Sequence, residues 1–313
     1  MNPSEPDLPF RSIPGRLNIG IAVALLTALL GLIGLLSLAT AWWQVLGLAV
    51  AYGIVMNGAY AMLHEAEHRI LHADIRVNDT LGVVLALFFP APFHLIRQGH
   101  IGHHMRNRSD DEAFDFYFEG ENRLWKHLQF IGILTGLFWV VVVLSNVIAV
   151  IYPKALKAKW AEFDRPTQAL LESLNPRYLK LIRLEAAVAI GLHVTLAWML
   201  NIPWYHYAAL FCGFGILWSA LQYVHHFGTE RDVLKGAKNL RTWIWLDKVW
   251  LNHNWHRNHH AHPTVSWVHL PELDREAKEE KRERLLPAYL KMWRGPRFTE
   301  ERIENRYAGK IIR

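Results

Sequence analysis

Residues 42–68 read WWQVLGLAVAYGIVMNGAYAMLHEAEH, an apolar run that ends on two histidines four residues apart. About 20 apolar residues span a bilayer as a helix, so 42–63 is long enough to cross and to deliver the chain directly into His64. On that helix His64 and His68 share one face, and two imidazoles so placed can reach one metal ion. Residues 17–39 form another uncharged apolar run just upstream, with Trp42 and Trp43 at the turn, where aromatic rings suit the membrane interface. Arg11 and Arg16 raise the question of a signal peptide. The run exceeds a signal core and a second follows at once, so the pair reads as a retained helical hairpin.

Further along, 81–89 is apolar but short and is broken by Pro90 and Pro92, which suits a segment in or dipping into the interface. Three more apolar stretches follow at 130–151, 184–200 and 205–221. Only Asn201, Ile202, Pro203 and Trp204 join the last two, a second hairpin. If all the histidine clusters build one site they share one side of the membrane. An even number of crossings must then separate Leu124 from Gln222, yet three stretches lie between. The loop carrying Lys154, Lys157, Lys159, Arg165, Arg177, Lys180 and Arg183 reads as cytoplasmic. That makes 130–151 the re-entrant or interfacial segment, with Gly132, Gly136 and Asn146 as bending points. Residues 1–16, with four prolines, read as a flexible tail, 17–270 as the membrane domain, and 271–313 as a charged cytosolic tail with a helix-prone stretch, REAKEEKRERLLPAYLKMW.

Eighteen histidines occur in the 313 residues, and 15 of them fall within 64–104 and 225–269. Four clusters stand out: HEAEH at 64–68, HIGHH at 100–104, QYVHH at 222–226 and HRNHH at 256–260. A lone HxxxH is common by chance. One HxxxH and two HxxHH in order, each near the end of an apolar segment, is not. Breaking an unactivated C–H bond requires an oxidant made from O2, which is work for iron, and imidazole suits iron. The end of a spanning helix holds such ligands rigidly beside the bilayer, where lipid substrates reside. His64-Glu65-Ala66-Glu67-His68 also fits the HExxH of an intramembrane zinc protease, with Glu65 as general base, but that leaves two HxxHH clusters without a purpose. A metal transporter would place ionisable residues within its spans, and here they crowd at the ends. His127, His193 and His206 read as ordinary core or surface groups.

The order HxxxH, HxxHH, HxxHH with hairpin spans between resembles the membrane fatty acid desaturase and hydroxylase superfamily over roughly residues 20 to 270. The resemblance implies an all-α integral membrane protein, with about four transmembrane helices in two hairpins, interfacial segments and a cytosolic histidine-rich di-iron cap. It assigns two irons to His64, His68, His100, His103, His104, His256, His259 and His260. The stretch 222–228 resembles a further histidine motif of the alkane hydroxylase branch and nominates His226 as a ninth ligand, leaving His225 as a competing or outer candidate. Asn252 and His253 are candidate outer partners, and His72, His94, His262 and His269 lie near enough to be considered. Asp110, Asp111, Glu112 and Asp115 either orient ligand histidines or cap a loop. Arg97, Arg106, Arg108 and Arg257 are loop charges or anchors for a carboxylate.

The implied reaction is O2-dependent oxidation of a fatty acyl chain. Desaturation comes first, with alkene-forming decarboxylation and hydroxylation as alternatives. The net charge of +6 and pI of about 9.4 come from Lys and Arg beside apolar spans, the pattern of cytoplasmic loops rather than of a nucleic-acid surface. The single Cys212 excludes an internal disulfide and a cysteine-held iron–sulfur cluster. Electrons are therefore expected from a separate carrier such as a ferredoxin or rubredoxin. The expected setting is a multi-pass protein of the bacterial inner membrane with its histidines on the cytoplasmic side.

Overall fold

The computed structural model describes residues 12–89, 91–157, 159, 161–162, 164–277 and 282–312; Pro90, Arg11 and most of the N-terminal tail lie outside them. The described residues are mostly helical. Helix α1 (Gly15–Leu36) and helix α2 (Trp42–Glu67) form the first hairpin. The side-chain oxygen of Gln44 accepts the backbone N–H groups of Thr40 and Ala41 at the start of α2, satisfying donors that a helix entrance leaves bare. The fully buried Asn18 fastens the other end of α1, donating to the Leu71 carbonyl and accepting from the Trp267 indole.

Helices α3 (Ile75–Phe88) and α4 (Phe93–Arg106) make a bent pair, turned by 100°. Helices α5 (Arg123–Thr135) and α6 (Leu137–Ile151) make another, turned by 89°. Of the three bending points expected in 130–151, the chain uses Gly136; Gly132 and Asn146 lie inside helices. Gly136 has a φ of 85°, and a Cβ there would come within 2.8 Å of the Ile216 backbone, so both conformation and space demand glycine. The Arg183 guanidinium donates to the Ala149 and Val150 carbonyls, satisfying acceptors left open at the end of α6.

After the short α7 (Arg165–Ser173), helices α8 (Leu179–Met199) and α9 (Trp204–Gln222) form the second hairpin. Helix α9 packs on α2 at a glycine contact: a Cβ on Gly213 would lie 2.6 Å from the Ala49 carbonyl oxygen. An aromatic core of Tyr60, Phe89, Trp139, Phe214 and Trp218 fills the space between α2, α6 and α9. Among the described residues, three helices are long and apolar enough to cross a membrane: Gly15–Leu36, Trp42–Glu67 and Pro176–Met199. Each bent pair passes the same test when taken as one span. Helix α9 opens on the polar aromatic turn Trp204-Tyr205-His206-Tyr207 and is not among them.

A cap closes one end of the bundle. It holds α10 (Ile244–Val249), α11 (His256–Ala261), α12 (Leu270–Ala277) and α13 (Leu285–Met292). Four two-residue strands pair in parallel: β1 (Phe116–Tyr117) with β4 (Arg297–Phe298), and β2 (Leu240–Arg241) with β3 (Glu283–Arg284). The helix-prone stretch after residue 274 is therefore two helices with a strand between them, and 278–281 lie outside the described residues. Beyond α13 the chain does not trail away. It runs back over the cap, where the Ile303 carbonyl accepts from Asp110 N and Ile312 N donates to the Ser173 carbonyl.

Candidate metal centre

Three helices and one helix exit bring nine histidines together in two groups. His64, His68, His100, His104 and His259 form the first; His103, His226, His256 and His260 form the second. Within each group one ring nitrogen per residue lies within 4.8 Å of all the others. The assignment follows from helix geometry. Residues four apart share a face, and residue three lies to its side. In α4, His100 and His104 enter the first group and His103 the second. In α11 the pattern reverses, with His256 and His260 in the second group and His259 in the first. Each HxxHH thus gives its outer pair to one group and its middle histidine to the other, and the His104 and His260 rings stack between the groups at 4.2 Å.

The ring nitrogens converge closely. Nε2 of His100 is 2.8 Å from Nε2 of His68 and 3.1 Å from that of His104, which is 2.9 Å from Nε2 of His259. In the second group Nε2 of His256 is 3.0 Å from that of His226 and 3.2 Å from that of His260. Ligands at right angles about a metal, each about 2.1 Å away, lie about 3.0 Å apart. Among the described residues the buried His64 Nε2 has no hydrogen-bond partner. Burial first, and then the neighbouring rings, push His256, His259 and His260 well below the ordinary histidine value, which keeps them in the neutral form that binds metal. The donor set fits two metal ions of the kind imidazole prefers.

Outer contacts hold the rings in place. His226 Nδ1 donates to the Gly236 carbonyl at 2.8 Å, which leaves its Nε2 unprotonated toward the group. His103 Nδ1 is 2.5 Å from Glu112, which also accepts from Arg106. Burial alone would raise the Glu112 carboxyl; His103 and Arg106 outweigh it and hold it below the usual range. The rest of the acidic run is equally engaged. Asp115 pairs with the fully buried Arg108, accepts from the Tyr223 hydroxyl at 2.6 Å and accepts from Gly228 N. Asp110 binds Arg231 and Arg302, and Asp111 accepts from Asn305 on the returning C-terminal segment. Arg106 and Arg108 are thus committed to internal ion pairs, and Arg97 to Asp79.

The other candidates sit elsewhere. His225, whose ring lies 4.7 Å from His256, and His253, edge-on to His64 and tilted against His256, line the groups without joining them. Asn252 donates to the Trp267 carbonyl. His94 pairs with Glu185, His72 accepts from Asp74 N, His269 contacts Ser12, and His262 is half-buried. His127 and His193 bond to carbonyls of Arg123 and Leu87, and His206 is in neither group. Glu65 accepts from Ser266 Oγ and Trp267 N, tying α2 to the loop after α11, so it is occupied where a zinc protease needs a free general base. Sequence reasoning did not foresee the Arg108–Asp115–Tyr223 network. Its members are 7 and 115 residues from Arg108 and carry no shared motif.

A comparison with curated proteins gave no match. The family model described as fatty acid desaturase matches residues 40–293, a stretch that contains all nine grouped histidines, both bent helix pairs and α13. With that match covering most of its length, the chain belongs to the fatty acid desaturase family.

Proposed function

We propose that this membrane protein is a di-iron oxidase that introduces a double bond into a fatty acyl chain at the expense of O2. The observation that carries the reading is the pair of histidine groups sharing α4 and α11, one set of donors for each of two metals. Irons held there would supply the one-electron steps that let O2 attack an unactivated C–H bond. The nine histidines would be the ligands. The helices fix their spacing, Glu112 and the Gly236 carbonyl set ring orientation, and the aromatic core beneath excludes water. Electrons would come from a carrier such as a ferredoxin or rubredoxin, because the single cysteine in these 313 residues cannot hold an iron–sulfur cluster.

The proposed topology has four crossings, α1, α2, α8 and α9, with both bent pairs re-entrant and the histidines cytoplasmic. Two contacts support it. The end of α3 stops at His193, whose ring donates to the Leu87 carbonyl, six residues before α8 ends at Met199. The end of α6 returns to the first turns of α8, where Arg183 meets Ala149 and Val150 beside the His94–Glu185 pair of α4. Lys and Arg on the loop between α6 and α8 favour a cytoplasmic position for that end.

The deciding experiment is gas chromatography–mass spectrometry of lipids and headspace from cells expressing the chain with fed fatty acids and an electron carrier, beside the His104→Ala variant. A new internal double bond that disappears in the variant supports desaturation. An alcohol or an alkene one carbon shorter would move the assignment to hydroxylation or decarboxylation. About one zinc per purified chain, in place of two irons, would defeat the oxidase reading.

A further inference from the structure

Glu67 occupies the last turn of α2, between the two histidines that α2 gives to the first group. Among the described residues its side chain is wholly buried and neither carboxylate oxygen has a hydrogen-bond partner. A buried carboxylate in that state is strongly disfavoured unless positive charge stands nearby. The ring it approaches is His100, whose Nδ1 lies 3.9 Å from Glu67 Oε2 while its Nε2 points at His68 Nε2. On the far side of α4 the second group shows the completed version of this arrangement, with Glu112 on His103 Nδ1 at 2.5 Å. Each group therefore has one carboxylate behind one α4 histidine.

The two carboxylates differ in what else they touch. Glu112 divides its charge between His103 and the Arg106 guanidinium, 2.8 Å away. Among the described residues no such cation touches Glu67. Arg97, the nearest guanidinium by charge interaction, is paired to Asp79, and its other terminal nitrogen has no partner.

We propose that Glu67 is a positioning residue that stands behind His100 as Glu112 stands behind His103, and that its carboxyl, shared with no guanidinium, makes the two metal positions unequal. Carboxylate behind a ligating imidazole raises the basicity of the ring. The first position, with five histidines and an unshared carboxylate, is accordingly the more electron-rich and the easier to oxidise. HEAEH carries the signal in sequence, because a second acidic residue at the end of an apolar helix is costly without a charge to face.

This inference rests on the two-iron reading, and the test separates the two. Protein loaded with isotopically enriched iron is measured for iron content and by Mössbauer spectroscopy, as wild type, Glu67→Gln, Glu67→Ala and Glu112→Gln. Wild type is expected to hold two irons with two distinct quadrupole doublets. Glu67→Gln keeps the shape and removes the charge, so it should retain both irons while shifting one doublet; Glu112→Gln should shift the other. Glu67→Ala should bind one of the two irons about tenfold to a hundredfold more weakly. Wild type without two irons sinks the di-iron reading itself. Two irons with identical doublets in wild type, a result that needs no variant to fold, sinks the inequality alone. Unchanged doublets and affinity in both Glu67 variants would show that Glu67 only fills space.

Discussion

His103 Nδ1 and Glu112 Oε2 lie 2.5 Å apart, joining the middle histidine of the α4 box to a carboxylate nine residues further on. Because Arg106 holds the same carboxylate, the turn after α4 locks the ring's orientation. Outer partners of this kind are worth about tenfold to a hundredfold in metal affinity. Glu112→Ala should weaken binding at the second position by that factor and leave the first near its wild-type affinity. A competitive chelator titration reads both, and equal affinities in variant and wild type would show the contact to be idle.

The Arg108–Asp115 pair has no solvent exposure on either side chain, and the Tyr223 hydroxyl joins it by accepting from Arg108 and donating to Asp115. Removing one member of a buried pair strands the other charge, at a cost of about 3–5 kcal/mol. Asp115→Asn should destabilise the protein by about that much, and Tyr223→Phe by about 1–3 kcal/mol. Denaturation in detergent gives the ranking directly; a smaller effect for Asp115→Asn than for Tyr223→Phe would contradict it.

Gly213 permits the close approach of α2 and α9, the helices that end near His64, His68 and His226. A Cβ there meets the Ala49 carbonyl oxygen at 2.6 Å and Ala49 Cβ at 3.0 Å. Overpacking of this sort costs about 1–3 kcal/mol, and the helices must part to relieve it. Gly213→Ala is expected to lose stability and metal together. Gly191→Ala in α8, where a Cβ meets nothing within 4 Å, should gain about 0.5–1 kcal/mol from helix propensity. If both variants melt alike, the glycine contact is not what sets the helix spacing.

Metal-free protein should lose stability on mild acidification. Burial lowers His253 from 6.5 to about 4 and, with His253 nearby, His225 from 6.5 to about 3. Above 6.5 neither state protonates these two rings, and their contribution to stability is level. Below 6.5 the unfolded chain takes up protons that the folded chain refuses, so stability falls progressively toward pH 4 and then 3. Melting temperatures of the metal-free form between pH 8 and 4.5 test this. A flat profile below 6.5 would mean these rings are not held neutral.

Much of this architecture is written in local pattern. Apolar runs of bilayer length announce the helices, and histidines three and four apart on a helix must share neighbouring faces, because 3.6 residues per turn leaves no alternative. From that alone the clusters, their helical setting, the hairpins and the family resemblance were legible, and the match to fatty acid desaturases agrees with the last. Gly136 was one of three bending points; choosing it took the packing of Ile216 against its Cα. Tertiary structure also decided how each HxxHH divides between two groups, since that depends on α4 and α11 meeting with their middle histidines on opposite sides. It separated Glu65, tied to Ser266 and Trp267, from Glu67, left facing His100, although the two stand two residues apart in one motif. Spacing along a helix sets which side chains can act together, and only the neighbours brought by the fold determine what they act upon.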